Sequence, residues 1–224
     1  FELEHYNGAA GVRPYVVNYS PNSYYDDGPL NTQFKLRFSE PMDPTTFTSQ
    51  TVVLWELNGE LSSDWIIRPA TFSFDTENRD LTVVPTENFE LDKSYYVFVS
   101  GEVKDTDGDT LYYNQSIWSY TGANSVVDDR RPMITALSPI DTSENVGISP
   151  VFSIAFDERI NELSFSPNEI AEIFFDQDFN SVRYRYYEPL PINAAHTELI
   201  DYVVDIAGNP VVAQSSTFNT ANGP

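Results

Sequence analysis

The sequence of this chain is written twice, which limits the folds open to it. "RPYVVNYSP" (Arg13–Pro21) returns as "RPMITALSP" (Arg131–Pro139), 118 positions later. At the same offset "FKLRFSEPMD" (Phe34–Asp43) falls on "FSIAFDERIN" (Phe152–Asn161), and Phe47 falls on Phe165. Farther on, Asp105, Gly108 and Asp109 of "VKDTDGDTL" precede Asp205, Gly208 and Asn209 of "VVDIAGNPV" by 100 positions, and Trp118 meets Phe218 at that offset. The second copy therefore lacks 18 residues between its early and late strands. A fixed internal repeat implies a unit that folds around its own core and recurs along the chain.

Fainter echoes set the expected boundaries. "HYNGAAGVRP" before the first copy resembles "SYTGANSVVDDRRP" between the copies. Residues 1–11 then read as the end strand or linker of a preceding unit, 12–123 as a first domain, 124–131 as a linker and 132–224 as a second domain. The whole reads as a slice of a tandem array.

Inside each copy the hydrophobic period is two. Phe34, Leu36 and Phe38 alternate with Lys35 and Arg37; Phe152, Ile154 and Phe156 alternate with Ser153 and Ala155. Such alternation marks strands with one buried face. The turn signals "SEPMDP", "DTENRD" and "DTDGD" separate short strands, as in an all-β, Ig-like antiparallel sandwich. "SPNEIAEIFF" (Ser166–Phe175) reads as a strand with one helical turn at its start, the counterpart of "TSQTVVLWEL".

In the first copy "F.L.FSEPMDP.T", "LTVVP" and "YYVFVSG.VKD..GD.L" occur in that order. Over Arg13–Thr121 the chain resembles the bacterial Ig-like domain of the SbsA type, found in surface-layer proteins and adhesins. The second copy, Arg131–Thr220, departs from it at "FDERIN" and in "RYRYYEPLPINAAHTELI". The resemblance implies tandem Ig-like sandwiches, a spacer or adhesion role, and no catalytic residues.

Charge and composition bound the partners. Twelve basic residues against 34 acidic ones give a net charge of −22, which repels phosphate backbones and anionic lipid headgroups and attracts cations. Nucleic acid and membrane insertion are excluded on this reading, the latter also because no apolar run nears the ~20 residues of a spanning helix. The acidity reads either as a solubility device for saline surroundings or as a store of weak cation sites. The absence of cysteine removes disulfides, thiolate metal sites and a cysteine nucleophile.

Catalytic constellations are sparse. His5 and His196 lie in unlike contexts; no G-x-S-x-G elbow accompanies them, and His196 reads as a loop histidine. There is no phosphate-binding glycine loop. With 34 acids some carboxylate pair is inevitable, so a pair alone does not argue for a glycosidase.

The acidic turn raises a metal question. Counted from Asp105, glycine comes fourth and Ser116 twelfth, so this is no EF-hand loop. Its repeat as Asp205 and Gly208 points first to hairpin chemistry. Ig-like topology nevertheless places Glu40, Asp43, Asp105, Asp107 and Asp109 at one end of the first domain. It places Asp157, Glu158 and Asp205, with the linker acids Asp128 and Asp129, at the same end of the second. Two readings stand: a solvated acidic end partly neutralised by Arg130 and Arg131, or calcium sites that stiffen the chain through six to eight oxygens.

Aromatic residues offer a second binding chemistry. Tyr24, Tyr25, Tyr112, Tyr113, Tyr184, Tyr186 and Tyr187 are candidates for stacking on sugars, set against half-buried strand positions. Three functions follow: a structural spacer or adhesion segment of a larger exported protein, a module binding surface polysaccharide or protein, and an accessory segment of a secreted hydrolase. The spacer comes first, with neighbouring domains of the same chain as its partners and an extracellular or cell-surface setting. The binding reading requires a contiguous exposed aromatic strip.

Overall fold

The computed structural model describes residues 11–21, 27–57, 65–167 and 169–222. His5, Tyr24 and Tyr25, and all but the last residue of the expected end strand at 1–11, lie outside the described residues. The chain divides into two compact units, with the division between Asp128 and Asp129.

The first unit contains β1 (Val16–Ser20), β2 (Phe34–Phe38), β3 (Val52–Leu57), β4 (Trp65–Arg68), β5 (Ala70–Phe74), β6 (Asp80–Pro85), β7 (Ser94–Val99) and β8 (Gln115–Tyr120). They form two antiparallel sheets, β1-β2-β6-β5 and β4-β3-β7-β8, packed as a sandwich. The period-two pattern decides which way β2 faces. Phe34, Leu36 and Phe38 are buried between the sheets, while Lys35 and Arg37 point outward to the carboxylate of Asp80 on β6. Phe47, just past a 3-10 turn at Pro44–Thr46 capped by Asp43, packs edge-on against Phe74 at 4.8 Å.

The second unit contains β9 (Ile134–Ser138), β10 (Phe152–Phe156), β11 (Ala171–Phe175), β12 (Ser181–Tyr186), β13 (Ala195–Ile200) and β14 (Gln214–Asn219). Its sheets are β11-β12-β10-β9 and a two-stranded β13-β14. The inward triad recurs as Phe152, Ile154 and Phe156. The capped turn recurs as Glu162–Ser164 behind Asn161, and Phe165 meets Phe175 edge-on at 5.9 Å.

Each unit tethers its entering segment in the same way. Arg13 donates to the carbonyls of Thr110 and Leu111, and Arg131 donates to those of Pro210 and Val211. The amide of Tyr112 bonds Pro14 and that of Val212 bonds Pro132.

Three expectations are corrected. First, Ser166–Phe175 is the counterpart of β5, not of β3. Asp75 Oδ1 accepts the amides of Arg79 and Asp80 in the turn after β5, and Asp176 Oδ1 accepts those of Asn180 and Ser181 after β11. Phe74 follows Phe47 by 27 positions, whereas Phe175 follows Phe165 by 10. The missing residues are therefore the β3–β4 hairpin, and the helical turn lies earlier, at Glu162–Ser164.

Second, Trp118 does not match Phe218. Thr121 and Thr220 share a role, each hydroxyl donating to the carbonyl before β7 or β13, Glu90 or Pro191. The last strands thus align one residue off the expected offset. Trp118 faces outward at 37% exposure, and the buried Phe218 stands where the first unit has Ser119. Third, His196 is no loop histidine: it sits within β13.

Candidate functional site

At the acidic end of the first unit, two loops are stitched together. Met42 bridges Asp105, the amide of Asp43 bonds Lys104, and the amide of Thr106 bonds Pro41. This brings the Glu40–Asp43 turn beside the Asp105–Asp109 turn. Asp105 shapes its own turn, with Oδ1 accepting the amides of Asp107 (2.9 Å) and Asp109 (2.8 Å). Gly108 takes φ +94, which a side chain would resist.

The remaining acids serve other ends. Asp43 caps the 3-10 turn, and the bonds from Thr45 hold its carboxyl below the usual range. Asp109 accepts the amide of Gly11 at 2.8 Å. Asp107 is exposed. Glu40 is 5% exposed; burial, then the charges of Asp105 and Asp107, push its carboxyl above the usual range.

The second unit repeats the turn with one change. Asp205 Oδ1 accepts the amides of Ala207 and Asn209, each at 2.8 Å. Its Oδ2 accepts the side-chain amide of Asn209 at 2.9 Å. Asn209 stands where the first unit has Asp109, a carboxylate with no proton to donate, and Asp105 Oδ2 is buried without a hydrogen-bond partner. Glu158 brings a carboxylate oxygen within 4.8 Å of Asp205. Asp157 accepts Arg130 at 2.9 Å and the amide of Met133 at 2.7 Å.

Of the linker acids, Asp128 is anchored in the first unit by two backbone bonds with Asn31, and Asp129 is exposed. Among the described residues, no three carboxylates of the first unit come within 4.8 Å of one another.

The candidate tyrosines separate into two groups. Tyr112, Tyr113 and Tyr187 are exposed, and Tyr112 meets Tyr113 edge-on at 4.4 Å. Tyr184 and Tyr186 are core residues. Their hydroxyls donate to the buried carboxylate of Glu198 at 2.7 and 2.8 Å, and His196 Nε2 lies 3.1 Å from the same group. Burial, followed by the influence of Glu198, raises both phenols well above their usual range. This network occupies the interior, so neither tyrosine is available to a ligand.

Sequence reasoning missed a larger aromatic feature on the outer face of β4-β3-β7-β8. Cross-strand pairing places Trp55 beside Tyr96, Tyr96 beside Trp118, and Trp65 on the same face of β4. Tyr96 and Trp118 stack at 4.7 Å, and Trp65 meets Tyr96 edge-on at 4.8 Å. The signal was present: "VVLWEL", "SYYVFV" and "QSIWSY" each carry large apolar or aromatic residues on both faces, whereas the outer face of a half-solvated strand is mostly polar.

The fold defines a class, Ig-like β-sandwich modules of short antiparallel strands. A family model describing bacterial Ig-like domains matches residues 10–122, and the chain belongs to that family. Among curated proteins none matches its sequence.

Solved structures with a similar arrangement include the N-terminal part of the bacterial S-layer protein SbsC, at 13% identity and a TM-score of 0.36 over 93% of this chain and 45% of that one. CopC from Methylosinus trichosporium OB3b is similar at 18% identity and TM-score 0.35, over 53% of this chain and 98% of that one. An L,D-transpeptidase from Mycobacterium smegmatis is similar at 10% identity and TM-score 0.31, over 74% of this chain and 65% of that one. The chain spans less than half of the SbsC fragment.

Proposed function

We propose that this chain is a non-catalytic structural segment of a larger surface or extracellular protein, made of two tandem Ig-like units of the SbsA type, the second divergent. Its role is to hold and display neighbouring domains of the same chain. The observation that carries this reading is the entry tether. In each unit an arginine grips the carbonyls of the last hairpin, Arg13 on Thr110 and Leu111, Arg131 on Pro210 and Val211. Charge-assisted bonds of this kind tie the entering strand to the body of the sandwich, which suits a module loaded through its ends. Single-molecule pulling tests it: Arg131→Ala should lower the unfolding force of the second unit alone. Forces equal to those of the unaltered chain would remove the spacer reading.

A calcium ion at the acidic end of the first unit is a second reading, favoured by one observation. Asp105 Oδ2 is buried with no hydrogen-bond partner, close enough to Glu40 for its charge to hinder ionisation there. A hard cation would satisfy both oxygens. The expected result is a melting temperature that rises in millimolar calcium and returns with chelator, because a ligand of the folded state stabilises it by mass action. Asp105→Asn should abolish the rise, and an unchanged melting curve in the parent chain would eliminate the ion.

A further inference from the structure

The outer face of β4-β3-β7-β8 is unlike that of an ordinary solvated sheet. Trp55 and Tyr96 lie near-parallel at 6.4 Å and 18°, Tyr96 and Trp118 at 4.7 Å and 28°, and Trp118 and Tyr120 at 6.3 Å and 11°. Trp65 closes the group edge-on to Tyr96 and 5.7 Å from Trp118. Ile67, on the same face, is 60% exposed. All three tryptophans of the protein are in this group.

The second unit supplies an internal comparison. The outward positions of its two-stranded sheet pair Ala195 with Asn219, Thr197 with Thr217 and Leu199 with Ser215, and the two threonine hydroxyls bond each other at 2.9 Å. A sandwich of this type therefore needs no aromatic cover on that face to fold. Trp118 is 37% exposed, while Trp55, Trp65, Tyr96 and Tyr120 are half-buried; an aromatic face of this extent left partly in water marks an interaction site.

Charge narrows the occupant. Every outward position on β3, β4, β7 and β8 is uncharged, within a chain of net charge −22. An anionic polymer is repelled by the chain, a second copy would bring together two like-charged molecules, and a cationic partner finds no carboxylate on the face. A neutral polymer meets none of these obstacles. Indole and phenol rings offer flat apolar surface to the C–H faces of pyranose rings, and their N–H and O–H groups can hydrogen-bond sugar hydroxyls.

We propose that the Trp55–Trp65–Tyr96–Trp118–Tyr120 face of the first unit is a binding platform for an uncharged polysaccharide. This goes beyond the spacer role and does not depend on it.

The test is affinity electrophoresis of the full chain in native gels containing hydroxyethylcellulose, starch or galactomannan, with polygalacturonate as the acidic control. Retardation is expected in at least one neutral gel and none in polygalacturonate. Tryptophan fluorescence should shift on titration with the retarding polymer. Trp118→Ala should weaken binding at least tenfold, as should Ile67→Asp, which puts charge on the face without removing a ring. Tyr113→Ala, exposed and outside the platform, should bind as the parent does. No retardation by any of the three neutral polymers overturns the proposal. So does binding that survives both platform variants, or sedimentation showing that the face joins two copies of the chain.

Discussion

The two units solve one folding problem with different second sheets. In the first, β3 and β4 widen that sheet to four strands; buried Val52 and Leu54 of β3 and Val97 of β7 close the core. In the second the hairpin is missing and the sheet has two strands. There Glu198 stands at the place of Val97, and Tyr184 and Tyr186 fill volume while their hydroxyls satisfy its carboxylate. What remains constant is the β2 or β10 triad, the capped 3-10 turn, the Asp-Gly hairpin and the arginine tether. What varies is the sheet that the hairpin would have completed. The lesson is that entry and exit geometry is held more strictly than the composition of the core.

Substitutions at matching positions tell the two units apart. Phe47→Ala and Phe165→Ala empty matching core positions and should each cost about 3–5 kcal/mol. Tryptophan fluorescence, which reports on the first unit alone, should register only the first loss in urea titrations; equal shifts for both variants would contradict separate cores.

Glu198→Ala leaves two buried phenols without an acceptor and should destabilise the second unit by about 3 kcal/mol. Adding Tyr184→Phe and Tyr186→Phe should recover most of that, since an apolar replacement of a whole buried polar group can be near neutral. Urea unfolding followed by circular dichroism measures both. A triple variant no better than the single one would show that the network does more than fill volume.

Arg13→Ala and Arg131→Ala should each cost about 1.5 kcal/mol through lost charge-assisted bonds. Unequal costs would mark one unit as differently tethered.

The smallest effect is electrostatic. Glu40 holds its proton more tightly in the folded state than in the unfolded one, so its contribution weakens stability as pH rises above its ordinary value of 4.5. Glu40→Gln should raise the neutral-pH stability by ~0.5 kcal/mol, a size suited to a partly screened charge, and change nothing well below pH 4.5. Asp157, already paired with Arg130, provides the contrast: Asp157→Asn should not stabilise.

Much of the fold was legible because period-two alternation and turn chemistry are local. Phe34, Leu36, Phe38 and the Asp105–Gly108 turn announce their roles within a few residues of themselves. The missing hairpin was not legible, because Ser166–Phe175 is apolar enough to stand opposite either β3 or β5, and only the turn at Asp176 decides between them. The last strand was misread by one residue because Trp118 looks like core by composition and is surface by register; in a strand a slip of one exchanges the faces.

The site was half visible. The sequence named the carboxylates that topology would gather. It gave no sign that Asn209 would satisfy Asp205 while Asp109 would leave Asp105 Oδ2 unpartnered, since that depends on a side chain's reach across a turn. The aromatic platform was hidden for another reason: its members come from four strands, and each alone looks like an ordinary half-buried residue.

Residue-resolved amide hydrogen exchange reads out whether the second unit is the first without its β3–β4 hairpin. Matched protection is expected at Leu111 and Val211, Asp105 and Asp205, and Thr121 and Thr220, whose amides make equivalent bonds. Strand-like protection is expected to resume after Phe165 only with the β11–β12 pairing that begins at Ala171. Slow exchange at Ser166, Glu169 or Ile170, or protection at one member of each pair and not the other, would contradict it.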